Sequence, residues 1–265
     1  MKDNKPKVFI GTCVHNKQWV IRQYIENLEA LEYPKELISL VMYINDSVDG
    51  TREILLDEMF RLKKLHNYGR LEVYEENFGF VDDRLNDIRR GTKTLYGCGN
   101  NDFSHFALVR NNHKKLIQDE DYFFSVDCDV LVQPKSLKML LEDNKDFVAL
   151  PVNNQQNRND YPIAEWPKAN YNIAIKTDRG LDVWKNFPWN KVFECDITGA
   201  CVLMKAEIAK KFMYRAHSFG EDAGFCSFIK AYGYGIWVDS RRKYEDANML
   251  NVHCMTQMPK ESELL

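Results

Sequence analysis

The chain has 265 residues, 45% of them hydrophobic and 12% aromatic, enough to bury the core of one large α/β domain. A formal net charge of −3, with Lys and Arg spread through the chain, excludes the broad basic field that a nucleic-acid partner requires. The seven cysteines, at 13, 98, 128, 195, 201, 226 and 254, form no CxxC pair and are odd in number, which is read as reduced, cytoplasmic thiol usage with buried Cys acting as small hydrophobes.

Met1–Lys7 runs straight into a strand without an apolar leader, and no apolar stretch approaches the roughly 20 residues of a membrane span. A soluble cytoplasmic protein is therefore expected. Val8–Val14 is a buried-strand run, and residues 19–31 then place Val20, Tyr24, Leu28 and Leu31 on one helical face. Tyr33 and Pro34 stop that helix, and Leu37–Ile44 predicts a second strand. The polar turn Asn45–Thr51 opens a helix carrying Ile54, Leu55, Met59 and Leu62, and Leu71–Tyr74 is a third strand. This β-α-β-α-β alternation predicts a mostly parallel sheet covered by helices on both faces.

Further along, the pattern predicts a helix over Leu85–Tyr96, a break at Gly97–Asn101, and a helix with Phe106, Val109, His113, Leu116 and Ile117 on one face. The apolar strand Tyr122–Val126 runs into Asp127-Cys128-Asp129. A helix over Lys135–Glu142 and a strand over Phe147–Val152 follow. Asn153–Asn172 reads as a long polar loop, and stretches of that kind in compact domains are usually functional or mobile. Ile197–Met204 reads as a strand, Gly220-Glu221-Asp222 as a turn opening a helix to Tyr232, and Ile236–Val238 as a last short strand, before an irregular tail containing His253. With no internal repeat and no linker, residues 1–265 are expected to form a single domain.

Asp127 and Asp129 carry the most information. Two carboxylates leave a buried strand where an α/β sheet opens its ligand crevice. Desolvated carboxylates must be paired, hydrogen-bonded or metal-bound. Oxygen ligands of this type suit Mg2+ or Mn2+, ions that usually bridge to substrate phosphates, so the pair points to a nucleoside-diphosphate site. Alone, the pattern equally describes a polar turn after a strand. Asp46 is open to two readings as well: part of a capped helix start, or an acceptor for a nucleobase or ribose hydroxyl at the end of the second strand. Arg110 is either an exposed helix charge or a bidentate partner for a diphosphate, to which His105 could contribute. His113, on the apolar helix face, reads as a core histidine. Glu221 and Asp222 suit a helix N-terminus on dipole grounds, while a carboxylate held there beside a sugar would serve as a general base.

Taken in order, these segments resemble the GT-A glycosyltransferases, most of all the family 2 group and its relatives, including the glycosyltransferase domains of procollagen galactosyltransferases and lysyl hydroxylases. The matching stretches are Thr12–Asn16, Leu31–Lys35, Ile44–Thr51, Leu108–Asn111, Phe124–Asp129, Asp196–Leu203, Gly220–Asp222 with Phe225-Cys226, and His253, so the resemblance spans residues 7–255. It implies a GT-A fold with a nucleotide-binding half over about 7–130 and an acceptor-binding half over about 131–255. Cys13 and Asp46 would line the base and ribose pocket, Arg110 would approach the diphosphate, and Gly199 and Ala200 would let the backbone approach the donor sugar. Asp127 would sit near the ribose or the metal, with Asp129 and His253 holding Mn2+ or Mg2+. Asp222 would deprotonate the acceptor hydroxyl in an inverting single displacement, with Glu221 orienting it or binding acceptor.

The resemblance further implies a nucleotide-diphosphate sugar donor, UDP-sugar before GDP-sugar, and a glycan, protein, lipid-linked or small-molecule acceptor. Asn45-Asp46 stands where family 2 members often have two adjacent acids. Trp166, in the unmatched polar loop, is open between a sugar-stacking platform in the acceptor site and a loop anchor. Three rivals are weaker. A haloacid-dehalogenase phosphatase would carry Thr or Val where Leu131 stands, and a sugar nucleotidyltransferase would carry a Gly-rich basic loop where Gly11–Lys17 has one glycine. A non-catalytic nucleotide- or glycan-binding module would have no need of Asp222 together with Asp127, Asp129 and His253.

Overall fold

The computed structural model describes residues 5–79, 103–153, 172–178, 180–183, 187–241 and 251–253. Strands β1 (Val8–Val14), β2 (Ile38–Ile44), β3 (Arg70–Glu75) and β4 (Tyr122–Val126) pair in parallel. Beyond β4 lie β12 (Cys201–Lys205), β6 (Phe147–Ala149), β13 (Ile236–Asp239) and β10 (Val192–Cys195), giving an eight-stranded sheet in the order β10-β13-β6-β12-β4-β1-β2-β3. Only β12 and β10 run against the others, so the sheet is mixed and mostly parallel, as the alternation predicts.

Period-two alternation sorts the strand residues onto two apolar layers. Val8, Ile10 and Val14 of β1, with Phe124 and Val126 of β4, face α1 (Ile21–Glu29), α2 (Thr51–Leu65) and the helix Ser136–Glu142. Phe9 and Phe123 face the opposite layer, which includes Ala107, Ile208, Phe225 and Ile229 from the helices Ser104–His113, Ala206–Lys211 and Glu221–Ala231. In chain order these four further helices are α3 (Ser104–His113), α4 (Ser136–Glu142), α5 (Ala206–Lys211) and α6 (Glu221–Ala231). His113 is buried among Phe9, Tyr43 and Phe123, and burial pushes its imidazole down to about 3, the neutral core histidine expected from its helix face.

Two predicted strands are divided. Phe147–Val152 splits into β6 and β7 (Val152–Asn153), and Ile197–Met204 splits into β11 (Ile197–Thr198) and β12, the halves joining different sheets. The second break falls at Gly199-Ala200, where Ala200 has φ 63° and the Cys201 N–H returns to the Gly199 carbonyl at 2.7 Å. The residues around His253, read as an irregular tail, form β14 (Asn251–His253) between β5 (Val130–Leu131) and β7. A third small sheet joins β11, β8 (Ile173–Thr177) and β9 (Gly180–Val183). The predicted helix over 85–96 and nearly all of the polar loop, with Trp166, lie outside the described residues.

Candidate active site

The parallel strands direct their carboxyl ends, and the loops after β1, β2 and β4, to one edge of the sheet. The loops after β1 and β2 are clamped together by side chains bonding backbone. The Asn16 N–H donates to Ser47 Oγ at 3.1 Å, and Asn16 Oδ1 accepts the Val48 N–H at 2.9 Å. The Lys17 N–H donates to Thr51 Oγ1 at 2.8 Å, and Gln18 exchanges bonds with Asp49 and Gly50 at 3.1 and 2.9 Å. Asp49 Oδ1 also accepts the Thr51 N–H at 3.0 Å, the turn-and-cap role expected of this segment. Asp46, at φ 47°, accepts the Phe78 and Gly79 N–H groups on Oδ1 at 2.9 and 2.8 Å, tying the end of β2 to the chain beyond β3. Cys13 lies on the α3 side of β1, its thiol raised to about 12 by burial.

At β4, Tyr24 from α1 donates its hydroxyl to the Val126 carbonyl at 2.9 Å. This bond fixes the strand end just ahead of Asp127. The Val130 N–H then bonds the Asp127 carbonyl at 2.9 Å, closing a tight turn through Cys128 and Asp129. That turn sends the two aspartates to different partners. Asp127 Oδ1 accepts from an Arg110 terminal nitrogen at 2.9 Å, on the α3 side. Asp129 Oδ2 instead accepts from Lys17 Nζ at 2.5 Å, at the approach to α1, with both side chains 15% exposed or less.

Arg110 is the hub of the cluster. Its Nε donates to Glu221 Oε1 at 2.7 Å, and its terminal nitrogen stands 3.9 Å from Asp222 Oδ2. The guanidinium also lies over the Tyr214 ring, 5.5 Å from its centroid. Burial opposes its charge, yet Asp127, Asp222 and Glu221 outweigh that and hold its pKa well above the ordinary value. Asn111, its neighbour, locks α3 to the segment before α6: Nδ2 donates to the Tyr214 carbonyl at 2.9 Å, and Oδ1 accepts the Tyr214 N–H at 2.8 Å.

Asp222 sits in the first turn of α6, behind Gly220 at φ 102°. The Ala200 N–H bonds its carboxylate, while the Ala200 carbonyl accepts the Asp127 N–H at 2.8 Å. The three-residue turn at Gly199–Cys201 thus holds both acids through one peptide unit on either side of Ala200. A side chain at 199 would displace the Asp222 carboxylate, because a Cβ there would lie 2.1 Å from Asp222 Oδ2. Burial raises Asp222 to about 7, with Glu221 and Asp127 adding to the rise and Arg110 opposing it. Burial likewise raises Asp127 against the pull of Arg110.

Of the residues singled out in the sequence, Asp127, Arg110, Glu221, Asp222, Gly199 and Ala200 meet in one cluster. Asp129 joins them through the β4 turn. His253 reaches its rim by backbone, opposite Val130 in the β14–β5 register and so beside Asp129. His105 stands at the start of α3. It lies five residues before Arg110, about 140° around α3, with its ring against Phe106. Glu221 bonds Arg110 and acts on Asp222 through that guanidinium. Lys17 was missed, although its place directly after β1 put it at the productive edge of the sheet.

Asp127 and Asp129 are hard oxygen donors of the kind that hold Mg2+ or Mn2+. Among the described residues no three of His, Cys, Asp or Glu converge as a complete ligand set. Among the described residues, four carboxylates (Asp127, Asp129, Glu221 and Asp222) nevertheless gather around the two cations Arg110 and Lys17. With all four ionised, the deficit equals the charge of one divalent ion. The residues therefore fit a metal whose coordination is completed by a further ligand or by substrate phosphates.

The α/β architecture, with its large and mostly parallel central sheet, is that of the GT-A glycosyltransferase fold. The chain belongs to the Anp1 family, whose pattern it matches over residues 1–199. It is 26% identical over 148 residues to procollagen galactosyltransferase 2 of Mus musculus, covering 55% of this chain and 22% of that protein. It is 30% identical over 153 residues to procollagen-lysine,2-oxoglutarate 5-dioxygenase 2 of Homo sapiens, covering 56% of this chain and 17% of that protein. The chain thus spans about a fifth of the length of these relatives. Among solved structures, S. aureus TarS 1–349 in complex with UDP-GlcNAc superposes with a TM-score of 0.53 at 14% identity, over 93% of this chain and 58% of that one. The mannosyltransferase PcManGT from Pyrobaculum calidifontis, in complex with GDP-Man and Mn2+, does so with a TM-score of 0.53 at 14% identity, over 92% and 59%.

Proposed function

We propose that this chain is a metal-dependent glycosyltransferase that moves a sugar from a nucleoside-diphosphate donor to an acceptor hydroxyl, with inversion at the anomeric carbon. The observation that carries this reading is Asp222: a carboxylate raised to about 7, held against Ala200 and Gly199 and facing the strand-end acids across Arg110. A base poised near neutrality suits proton abstraction from a hydroxyl. The acceptor O–H gives its proton to Asp222 as its oxygen bonds the anomeric carbon. The bond from that carbon to the diphosphate oxygen breaks, and its electron pair leaves with the nucleoside diphosphate. Arg110, oriented by Glu221, lies where charge grows on the departing group.

Asp129 and Asp127 are the metal ligands in this reading, with His253 as the third. A bound Mn2+ or Mg2+ supplies Lewis-acid stabilisation of the leaving diphosphate. Cys13 and Asp46 line the base and ribose pocket, a UDP-sugar being favoured over a GDP-sugar. The nucleotide sugars in the TarS and PcManGT complexes support the donor class, and the Mn2+ in the latter supports metal use. The acceptor class stays as broad as glycan, protein, lipid-linked sugar or small molecule. The free thiols of Cys13, Cys128, Cys195, Cys201 and Cys226 support a reducing, cytoplasmic setting.

Thermal-shift measurements with UDP, GDP and their sugars, each with and without Mn2+, test the reading. A nucleotide with metal at about 100 times Kd should stabilise the fold by about 2.7 kcal/mol. No stabilisation by any nucleoside diphosphate with Mn2+ sinks the proposal. Stabilisation without hydrolysis or transfer across an acceptor panel would make the chain a binding module.

A further inference from the structure

Lys17 occupies a position that the proposed function leaves unexplained. Its ammonium is 2.5 Å from Asp129 Oδ2, the carboxylate assigned to the metal, and 5.5 Å from the centre of the Trp19 ring. Its backbone is pinned at both ends: the N–H is bonded to Thr51 Oγ1 at 2.8 Å, and the carbonyl accepts Val20 and Ile21 N–H groups at 3.0 and 2.9 Å at the start of α1. Only the four-carbon stem can swing, carrying a point charge with rotatable donors. Arg110 differs, being held by Glu221 and Asp127 together.

A divalent ion bound to Asp129 would be within a few ångströms of the Lys17 ammonium, and like charges at that range repel strongly in a half-buried site. Metal alone must therefore displace Lys17 from Asp129, at the cost of that ion pair. A diphosphate alone meets Lys17 already committed to Asp129, within a cluster in which carboxylates outnumber cations. Both obstacles vanish when the two ligands arrive together, since the metal takes the carboxylate and the ammonium turns to the phosphate oxygens.

Resting on the glycosyltransferase reading, we propose that Lys17 is an exchangeable counter-ion that couples the two ligands. It neutralises Asp129 in the free protein and passes to the donor's diphosphate as the divalent ion takes Asp129, so each ligand binds weakly alone and the pair binds tightly.

Calorimetric titration of the whole chain with Mn2+ alone, with UDP or GDP alone, and with Mn2+ at saturating nucleotide tests this on the wild type, Lys17→Met, Lys17→Gln and Lys17→Arg. The Met and Gln variants should bind Mn2+ alone about tenfold more tightly than the wild type, the size of one charge-assisted contact removed. Their gain in Mn2+ affinity on adding nucleotide should shrink by a similar factor, while Lys17→Arg stays close to the wild type. Circular dichroism establishes folding, and the Gln variant, which keeps a hydrogen bond to Asp129, stands in if the Met variant does not fold. A folded Met or Gln variant whose affinity for Mn2+ alone is unchanged or weaker overturns the coupling role even though the wild type binds nucleotide with metal. Failure of the wild type to bind UDP or GDP with Mn2+ overturns the glycosyltransferase reading, and the coupling role with it.

Discussion

At the scale of single residues, the site is a contest between burial and a shortage of positive charge. Asp222 shows the outcome: it is raised from its ordinary 3.8 to about 7 chiefly by burial, with Arg110 only partly restoring its charge. If Asp222 is the base, kcat/KM should climb with pH up to about 7 and level off above it. Asp222→Asn should lower kcat by about 10²-fold or more, leave UDP binding near its wild-type value and abolish that limb of the profile; equal loss of binding and turnover would remove Asp222 from the base role. The linkage sign gives a second readout. Because the folded pKa exceeds the unfolded one, the folded protein holds the proton between 3.8 and about 7, and stability falls as pH rises through that window. Asp222→Asn should therefore melt above the wild type at pH 8 and lose that advantage toward pH 4. Gly199→Ala tests the same carboxylate sterically. The added Cβ would lie 2.1 Å from Asp222 Oδ2, so the acid must swing away and turnover should fall with nucleotide affinity largely kept. A fully active Gly199→Ala enzyme would show that the position of Asp222 does not matter.

At the scale of elements, the acids sit where chain direction changes. β4 ends in a tight turn that separates Asp127 from Asp129, and the residues read as one strand over Ile197–Met204 break at Ala200 to present an N–H to Asp222. Apolar content made that segment look continuous, but a non-glycine residue at φ 63° is a local cost that only the surrounding packing sustains. α3 carries Arg110, and its position depends on Asn111. Asn111→Leu should leave the Tyr214 N–H and carbonyl without their partners and destabilise the fold by about 2–4 kcal/mol in urea unfolding. A loss below about 0.5 kcal/mol would mean that α3 is held by its apolar face alone. The same argument explains the missed β14. Three residues alone carry almost no periodic signal, and they become a strand by pairing with β5 and β7.

At the scale of the whole molecule, the fold gathers acids from the end of β4 and the start of α6 at one sheet edge, and returns β14 to the Asp129 turn. That return is the reason to expect His253 at the metal. His253→Ala should reduce the difference in nucleotide affinity measured with Mn2+ and with EDTA, and an unchanged difference would make it an ordinary residue of β14. Much of this architecture was legible in the chain. The β-α alternation of the first 75 residues, the apolar run ending at Asp127, and carboxylates opening a helix at Glu221-Asp222 are nearest-neighbour properties, set by side-chain period and backbone capping. What the sequence by itself determined was therefore the class of fold and which acids stand at element ends. Only the tertiary structure decided their partners: Lys17 on Asp129 across 112 residues, Glu221 on Arg110 across 111, and the broken strand beneath Asp222. Those contacts depend on which loops the sheet order brings to one edge, and long-range packing, unlike periodicity, leaves no local trace in the chain.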